Sequence, residues 1–211
     1  SMNDTIAKLH NTDFKSIGLS EYGKYENYMA RQIARWSKQY KDSETTLIPE
    51  MDNLIEWLPQ NIPPGEETSI VHGDFRLDNM VFDKNTNEVI AILDWELSTL
   101  GHPIADFTYH MMTWRMPLGV QGIGILGANL QELNIPNEDE YAEAYYRKTN
   151  RNEIQNWDFF LAYNMFRLAG ITQGIAGRVR DGTASSDQAK QYGAFVPILS
   201  QMAWKIVEGI K

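Results

Sequence analysis

Apolar residues recur at helical spacing in the first third of the chain. Steps of four, three and four residues separate the members of one apolar face, namely Met29, Ile33, Trp36 and Tyr40. A second face of this kind runs from Met51 to Leu58, and Pro59 with Pro63-Pro64 is expected to end that helix. No stretch before residue 69 has the pattern of a strand. The first third therefore predicts helices only.

The pattern changes at residue 69, where short β-branched runs replace the helical spacing. The first run is Ser69-Ile70-Val71, and two more, at 80–82 and 88–93, flank the turn-forming residues 84–87. Strand-like runs on either side of a turn are typical of a β-hairpin. The sequence therefore predicts a hairpin at about residues 80–93, within a small β insert at about residues 69–94.

Helical patterns return after the β insert. Pro103 suits the first position of a helix, and Asn137 with Glu140 resembles a capping box at the start of a helix over residues 138–149. We expect an α+β fold, mostly α, that forms a single lobe over residues 1–211.

The last third of the chain predicts one long apolar helix and a shorter final one. The long helix spans about residues 157–179, and three small residues spaced four and three apart predict its close packing on another helix: Gly170, Gly174 and Gly177. Pro197 is expected to kink the final helix.

Composition narrows the possible functions. Lys and Arg number 19 against 28 Asp and Glu, a net charge of −9, so we expect no nucleic-acid binding through a general basic surface. The chain has no cysteine, which excludes disulfides, cysteine zinc sites and thiol nucleophiles. No apolar run approaches the ~20 residues that cross a bilayer, and the first residues lack a signal-peptide pattern. We expect a cytoplasmic protein with no membrane partner.

Polar residues concentrate at the two edges of the predicted hairpin. Residues 72–79, with sequence HGDFRLDN, precede its first strand, and Asp94-Trp95-Glu96 follows its second strand. Pairing of the two strands brings Asn79 and Asp94 to the same end, with Asp74 one loop away. The hairpin therefore predicts that two carboxylates and an amide converge.

This set of side chains suits phosphoryl transfer. Magnesium prefers oxygen ligands, which Asn79 and Asp94 can supply, and a carboxylate that stays free of the metal, Asp74, can accept a proton from an alcohol. Asn79 lies five residues after Asp74, which is the spacing of base and metal ligand in the kinase catalytic loop H-R-D-x-x-x-x-N.

Three motifs together resemble a known family. They are His72-Gly73-Asp74 with Asn79, Ile92-Leu93-Asp94-Trp95-Glu96, and Gly101-His102-Pro103-Ile104-Ala105-Asp106. The pattern resembles the aminoglycoside phosphotransferase and choline kinase superfamily. Further stretches resemble one subgroup, the phosphotransferase domains related to those fused to acyl-CoA dehydrogenases: residues 9–19, 32–40, 134–136 and 173–178.

The resemblance implies a phosphotransferase that uses an alcohol group as acceptor, with ATP as phosphate donor and Mg2+. Asp74 would be the catalytic base, and Asn79 and Asp94 would hold magnesium on the ATP phosphates. Asp106 and His72 would be structural. The acceptor would be a small hydroxylated metabolite, with a hydroxyacyl-CoA or an aminoglycoside-like molecule as the two classes considered.

Two further residues near these motifs have supporting roles in this interpretation. Arg76 lies within the catalytic loop, where it could contact phosphate or substrate. Glu96 would support the metal ligands from outside the site or bind a second metal ion.

The resemblance covers only the later part of the family pattern. Members have an N-terminal β-rich lobe with a loop over the phosphates and a phosphate-binding Lys, whereas the residues before His72 predict helices. We therefore expect a kinase-like C-terminal lobe with the N-terminal lobe absent, so that the nucleotide-binding residues are unknown. The isolated chain is expected to lack turnover and to self-associate through the exposed lobe interface.

Two other functions remain open at this point. A metal-dependent hydrolase would use a set of His and carboxylate ligands, namely His72, Asp74, Asp94, His102 and Asp106. A non-catalytic kinase-like lobe would act in binding or assembly.

Overall fold

Helices predominate in the residues that the computed structural model describes, 1–119, 123–153, 155–183 and 189–210, and four short strands lie between the third helix and the fourth. In chain order the elements are α1 Met2–Asn11, α2 Tyr28–Ser43, α3 Pro49–Gln60, β1 Ser69–Val71, β2 Met80–Phe82, β3 Val89–Ile92, β4 Thr99–Gly101, α4 Pro103–Met111, α5 Glu138–Lys148, α6 Trp157–Arg180, α7 Ala189–Tyr192 and α8 Phe195–Ile210. The predicted α+β class, mostly α, is confirmed.

The predicted hairpin is present. Strands β2 and β3 pair antiparallel, with Met80 opposite Ile92 and Val81 opposite Ala91, and the register shifts between Val81 and Phe82. The side chain of Asp83 accepts hydrogen bonds from the amides of residues 85 and 86 at 2.8 and 2.9 Å. An Asp that bonds to the backbone two residues on favours a tight turn, so the turn cluster joins the strands as predicted.

A second antiparallel pair, which the sequence did not predict, joins β1 to β4. Ser69 lies opposite Gly101 and Val71 opposite Thr99. Helix α4 follows β4 at once with Pro103 at its start, and every residue of α4 is buried. The pairing therefore brings the start of α4 next to the end of β1, where the polar motif begins.

The described chain forms two compact units. One comprises residues 1–28, 65–118 and 124–155 and contains both strand pairs. In it α1 packs against α5 and β1, and the ring of Phe107 in α4 stacks on that of Tyr145 in α5 with 3.8 Å between centroids. Helix α5 begins with the predicted capping box of Asn137 and Glu140. All the polar motif residues belong to this unit.

The other unit comprises residues 29–64, 119–123 and 156–211, and its core is helical. A Cβ atom on Gly170 would lie 3.5 Å from the carbonyl oxygen of Trp36, and one on Gly177 would lie 2.8 Å from the Cβ of Ser43. These distances confirm the predicted close packing, which takes place between α6 and α2. Whether the whole chain acts as a single lobe stays a prediction.

Helix α3 ends at Gln60, between Pro59 and Pro63, as predicted. One proline acts differently from the prediction. Pro197 does not kink a continuing helix but lies in the first turn of α8, where a helix does not need the amide proton. In the described part of the chain, no helix combines the length and apolarity that a membrane span requires.

Candidate active site

The hairpin places Asn79 beside the residue that precedes Asp94. Asn79 ends a 3-10 turn just before β2, and its carbonyl oxygen accepts a hydrogen bond from the amide of Leu93 at 2.8 Å. Asp94 follows directly after Leu93. The backbone therefore brings the two predicted metal ligands to one end of the hairpin, as the strand pattern predicts.

Asp74 is hydrogen-bonded to Asn79 through its side chain and its backbone. The Nδ2 of Asn79 donates to Oδ2 and to the carbonyl oxygen of Asp74, both at 2.9 Å. Because Nδ2 is used in this way, the Oδ1 atom of Asn79 is the side-chain atom that can face a cation. The structure therefore brings Asp74 and Asn79 together.

The second carboxylate oxygen of Asp74 also has a donor. The hydroxyl of Tyr109 in α4 donates to Oδ1 at 2.6 Å, and Tyr109 is 4% exposed whereas Asp74 is half-buried. Both oxygens of the candidate base are therefore held from the protein side. Tyr109 lies outside the three motifs and carries no signal in the sequence that identifies it.

His72 ties the loop of Asp74 to the loop of Asp94. Its Nδ1 accepts from the amide of Asp74 at 3.2 Å, and its Nε2 lies 2.9 Å from the carbonyl oxygen of Leu93. Since Nδ1 accepts, Nε2 carries the proton and donates to Leu93, which assigns the neutral tautomer. His72 is fully buried, so its contacts are structural.

Gly73 allows the two loops to approach closely. Its φ of +85° lies in the left-handed region that glycine adopts without cost, and an added Cβ would lie 2.7 Å from the carbonyl oxygen of Leu97. A side chain here would push apart the loops that carry Asp74 and Asp94.

Asp106, in the first turn of α4, holds the backbone of the catalytic loop. Its Oδ2 accepts from the amide of His72 and its Oδ1 from the amide of Gly73, each at 2.8 Å. Burial is the largest single influence on the pKa of Asp106 and raises it. The hydrogen bond and electrostatic effect of His10, together with the hydrogen bonds from the two amides, outweigh burial, so the pKa lies below 3.8. Asp106 is therefore an ionised buried acceptor.

A buried histidine that the motif analysis did not assign completes this anchor. The Nε2 of His10 in α1 lies 3.2 Å from Oδ2 of Asp106, and its Nδ1 lies 2.7 Å from the hydroxyl of Tyr145 in α5. Because a carboxylate can only accept, Nε2 donates to Asp106. The helical spacing of buried Ile6 and His10 on one face of α1 is a signal that could have found it.

Asp94 lies in a different environment. It is exposed, with φ +63° and ψ +58°, a left-handed conformation that a non-glycine residue adopts at a cost. Non-glycine residues in this region are enriched at functional sites. Glu96, two residues later, is also exposed. Their roles as metal ligands stay predictions.

Arg76 is half-buried in the loop and pairs with Asp78. Burial is the largest single influence on the pKa of Arg76 and lowers it. The hydrogen bond to Asp78 and the electrostatic effects of Asp78, Tyr109 and Asp74 outweigh burial, so the pKa is raised. Its Nε is buried and has no hydrogen-bond partner in the described part of the chain.

The ligand set of the hydrolase hypothesis does not assemble. His102 instead caps α4, where its Nδ1 accepts from the amide of Ile104 at 3.2 Å, and burial lowers its pKa to about 4. Asp106 is occupied by backbone amides. Over the described residues, no three His, Asp or Glu side chains lie close enough to hold a metal ion.

Comparison with known proteins supports one family. The sequence model of the phosphotransferase enzyme family matches residues 1–151. Mouse acyl-CoA dehydrogenase family member 10 is 40% identical over 205 residues, which cover 97% of this chain and 19% of that protein. Human acyl-CoA dehydrogenase family member 11 is 39% identical over 200 residues, which cover 94% of this chain and 26% of that protein.

Solved structures agree with this family. A candidate aminoglycoside phosphotransferase of Ralstonia eutropha is 50% identical, with a TM-score of 0.95 over 99% of this chain and 64% of that one. Choline kinase of Cryptosporidium parvum is 11% identical, with a TM-score of 0.63 over 98% of this chain and 65% of that one, a likeness of fold alone. The chain thus spans about two thirds of these structures and about a quarter or less of the two mammalian relatives.

Proposed function

The chain belongs to the phosphotransferase enzyme family, and we propose that it is the catalytic lobe of an ATP- and magnesium-dependent kinase of small molecules. The kinase transfers the γ-phosphoryl group of ATP to a hydroxyl group. One observation carries the proposal: the Asp74 carboxylate is hydrogen-bonded to Asn79, at the hairpin end where Asp94 follows Leu93. This is the arrangement of base and metal ligands that phosphoryl transfer requires.

In the proposed reaction, Asp74 orients the hydroxyl of the acceptor and takes its proton. The acceptor oxygen forms a bond to the γ-phosphorus as the bond from that phosphorus to the β-phosphate oxygen breaks, and ADP leaves. The contacts from Tyr109 and Asn79 support this role, because they fix the carboxylate on the protein side while it remains half-buried rather than enclosed. Each carboxylate oxygen keeps a second lone pair for the substrate.

The residues at the hairpin end fit magnesium. The Oδ1 of Asn79 and the exposed carboxylate of Asp94 are hard oxygen ligands, and Mg2+ usually takes one or two of these from the protein and the rest from water and phosphate. When bound, the ion would neutralise charge on the phosphates. Glu96 is close enough in sequence to support Asp94 or a second ion.

Arg76 is the proposed contact for an anionic group in the site. Its guanidinium interacts electrostatically with Asp74 and Tyr109, and its Nε lacks a partner among the described residues. A phosphate oxygen or an anionic part of the acceptor would satisfy such a donor.

The acceptor belongs to the hydroxylated small molecules. Relatives at about 40% identity bear the name acyl-CoA dehydrogenase family member, which supports a hydroxyacyl-CoA or a related hydroxy acid derivative. The candidate aminoglycoside phosphotransferase of Ralstonia eutropha supports the second class, an aminoglycoside-like acceptor. We also propose a cytoplasmic location, where ATP is available to such an enzyme.

The hairpin offers a surface for association. Apolar side chains on and beside it are exposed, namely Leu77 at 60%, Val81 at 39%, Ile90 at 63% and Leu93 at 48%. Exposed apolar patches tend to find partners. We therefore propose that the chain alone self-associates through this surface. We also propose that the chain alone lacks appreciable turnover until the surface is covered, and that in this state it behaves as a non-catalytic lobe.

The test compares the chain with the full-length product of its gene. Each is incubated with MgATP and a panel of hydroxylated acyl-CoA esters, free hydroxy acids and aminoglycosides, and ADP release and the phosphorylated product are measured. In the active protein, Asp74→Asn should lower kcat by roughly 10²–10⁴-fold, the usual contribution of a general base, with ATP binding retained.

Asp139→Asn is the matched control, since Asp139 is an exposed carboxylate on α5 outside the site. Full activity of Asp74→Asn would refute the role of Asp74. Absence of phosphorylated product from every acceptor in the panel, with the full-length protein, would refute the proposed function.

A further inference from the structure

Tyr109 makes the shorter of the two side-chain hydrogen bonds to the carboxylate of the candidate base. Its hydroxyl donates to Oδ1 of Asp74 at 2.6 Å, a distance typical of a hydrogen bond between a hydroxyl and a charged carboxylate. The rest of the side chain is buried at 4% exposure. Tyr109 therefore reaches Asp74 from inside the protein and leaves the solvent side of the carboxylate open.

The two donors to Asp74 divide its carboxylate between them. Asn79 donates to Oδ2 at 2.9 Å and Tyr109 donates to Oδ1. A carboxylate held at one oxygen can still rotate about its χ2 angle, which is a soft torsion. With both oxygens held, the plane of the carboxylate is fixed.

Helix α4 supplies both anchors of the catalytic loop. Asp106 accepts the amides of His72 and Gly73, and Tyr109 lies three residues further along the same helix. Residues three apart share one face of a helix. One helical face therefore fixes the loop backbone through Asp106 and the side chain of the base through Tyr109.

We propose that Tyr109 is a positioning residue for phosphoryl transfer, which holds the Asp74 carboxylate in the orientation that receives the acceptor proton. This role rests on the proposed function of Asp74. Tyr109 keeps its own proton throughout, and it forms no bond to phosphorus. Its contribution is geometric, and misplacement of a reacting group by ~1 Å can cost on the order of 10²-fold in rate.

Tyr109→Phe removes the hydroxyl and little else. Tyr141→Phe is the matched control, because the Tyr141 hydroxyl also bonds to a buried side chain, His110, at 2.9 Å, whereas the described donors to the Asp74 carboxylate are Asn79 and Tyr109. If Tyr109 contributes only to the structure, the two variants should show the same exchange rate at Asn79 and the same kcat. If Tyr109 positions Asp74, only Tyr109→Phe should change these two quantities.

The first measurement is the solvent exchange rate of the Asn79 side-chain amide protons, by NMR on the chain itself. Tyr109→Phe frees the carboxylate that accepts from Nδ2, so exchange should accelerate at least about fivefold, the change expected when a charge-assisted hydrogen bond weakens by about 1 kcal/mol. Tyr141→Phe should leave the rate unchanged. Equal rates in the two variants would overturn the proposal, and this readout needs no enzymatic activity.

The second measurement is phosphate release from MgATP by the full-length product of the gene, with water as acceptor. Tyr109→Phe should lower kcat by about 10- to 100-fold and leave the KM for ATP within about twofold, while Tyr141→Phe should retain the activity of the parent. A fall of kcat equal in both variants would overturn the positioning role. If the parent protein releases no phosphate with water as acceptor, the exchange rate of Asn79 decides the role of Tyr109 by itself, and the acceptor panel described above tests the proposed function separately.

Discussion

Replacement of Asp106 by asparagine should destabilise the unit that contains the site. The carboxylate is buried and accepts three hydrogen bonds, from the amides of His72 and Gly73 and from Nε2 of His10. An asparagine has the same shape but only one oxygen. In either orientation of its amide, the NH2 group faces at least one of these N–H donors, so a buried donor loses its acceptor.

The size of the effect follows from the groups left without partners. An unsatisfied buried amide costs about 1–3 kcal/mol, and the hydrogen bonds that remain lose the added strength that a charged acceptor gives them. We therefore expect the free energy of unfolding to fall by about 2–4 kcal/mol, a large part of the ~5–15 kcal/mol of a typical domain. The effect should also depend on pH. Because the pKa of Asp106 is lowered on folding, its contribution is present above pH 3.8 and is lost as the pH falls through the lower folded pKa.

Urea unfolding followed by circular dichroism measures the change, and hydrogen–deuterium exchange of residues 69–79 locates it. Exchange should accelerate in this segment for Asp106→Asn, whereas Asp139→Asn, at an exposed position, should change stability by less than about 0.5 kcal/mol. A loss below about 1 kcal/mol with unchanged protection of His72 and Gly73 would refute the argument, because it would mean that Asp106 does not hold the loop.

Four other predictions concern single residues. Burial lowers the pKa of His110 from 6.5 to about 4. The stability that the neutral, buried imidazole contributes is therefore present above pH 6.5 and is lost as the pH falls towards 4, a change of about 3 kcal/mol. His110→Gln should make the free energy of unfolding, measured with urea, less dependent on pH in this range. In the active protein, Asp94→Asn should weaken magnesium-dependent nucleotide binding in calorimetry. Gly73→Ala should destabilise the loop by about 1–3 kcal/mol in thermal unfolding, because of its positive φ and the nearby Leu97 carbonyl. Light scattering should show self-association that Ile90→Lys reduces, and a monomer at high concentration would contradict it.

Local patterns accounted for the parts of the site that are close in sequence. The hairpin could be predicted because its turn and both strands lie within residues 80–93, and Asn79 and Asp94 flank those strands. The capping box of α5 is local in the same way. In these cases, one short segment contains both partners of each interaction.

The remainder depends on contacts between distant residues. Strand β4 has three residues, too few for a periodic pattern, and it exists because its register pairs it with β1. His10 is 96 residues from Asp106 in sequence, so no spacing rule connects them. In the sequence, Tyr109 is one more apolar position of α4. Nothing in the sequence shows that its hydroxyl faces Asp74.

The two carboxylates of the site differ in a way that matches the two tasks proposed for them. A general base must keep one orientation before the substrate arrives, and Asp74 is half-buried with Tyr109 and Asn79 donating to its two oxygens. A ligand for magnesium must remain accessible to an ion that arrives with phosphate and water around it, and Asp94 is exposed on a left-handed turn. His72 hydrogen-bonds to the amide of Asp74 and to the carbonyl of Leu93, so one buried side chain links the loop of the base to the residue that precedes the metal ligand. If these environments were exchanged, an exposed base would not keep one orientation and a buried metal ligand would not be accessible to the ion. Neither residue could then perform the task proposed for it.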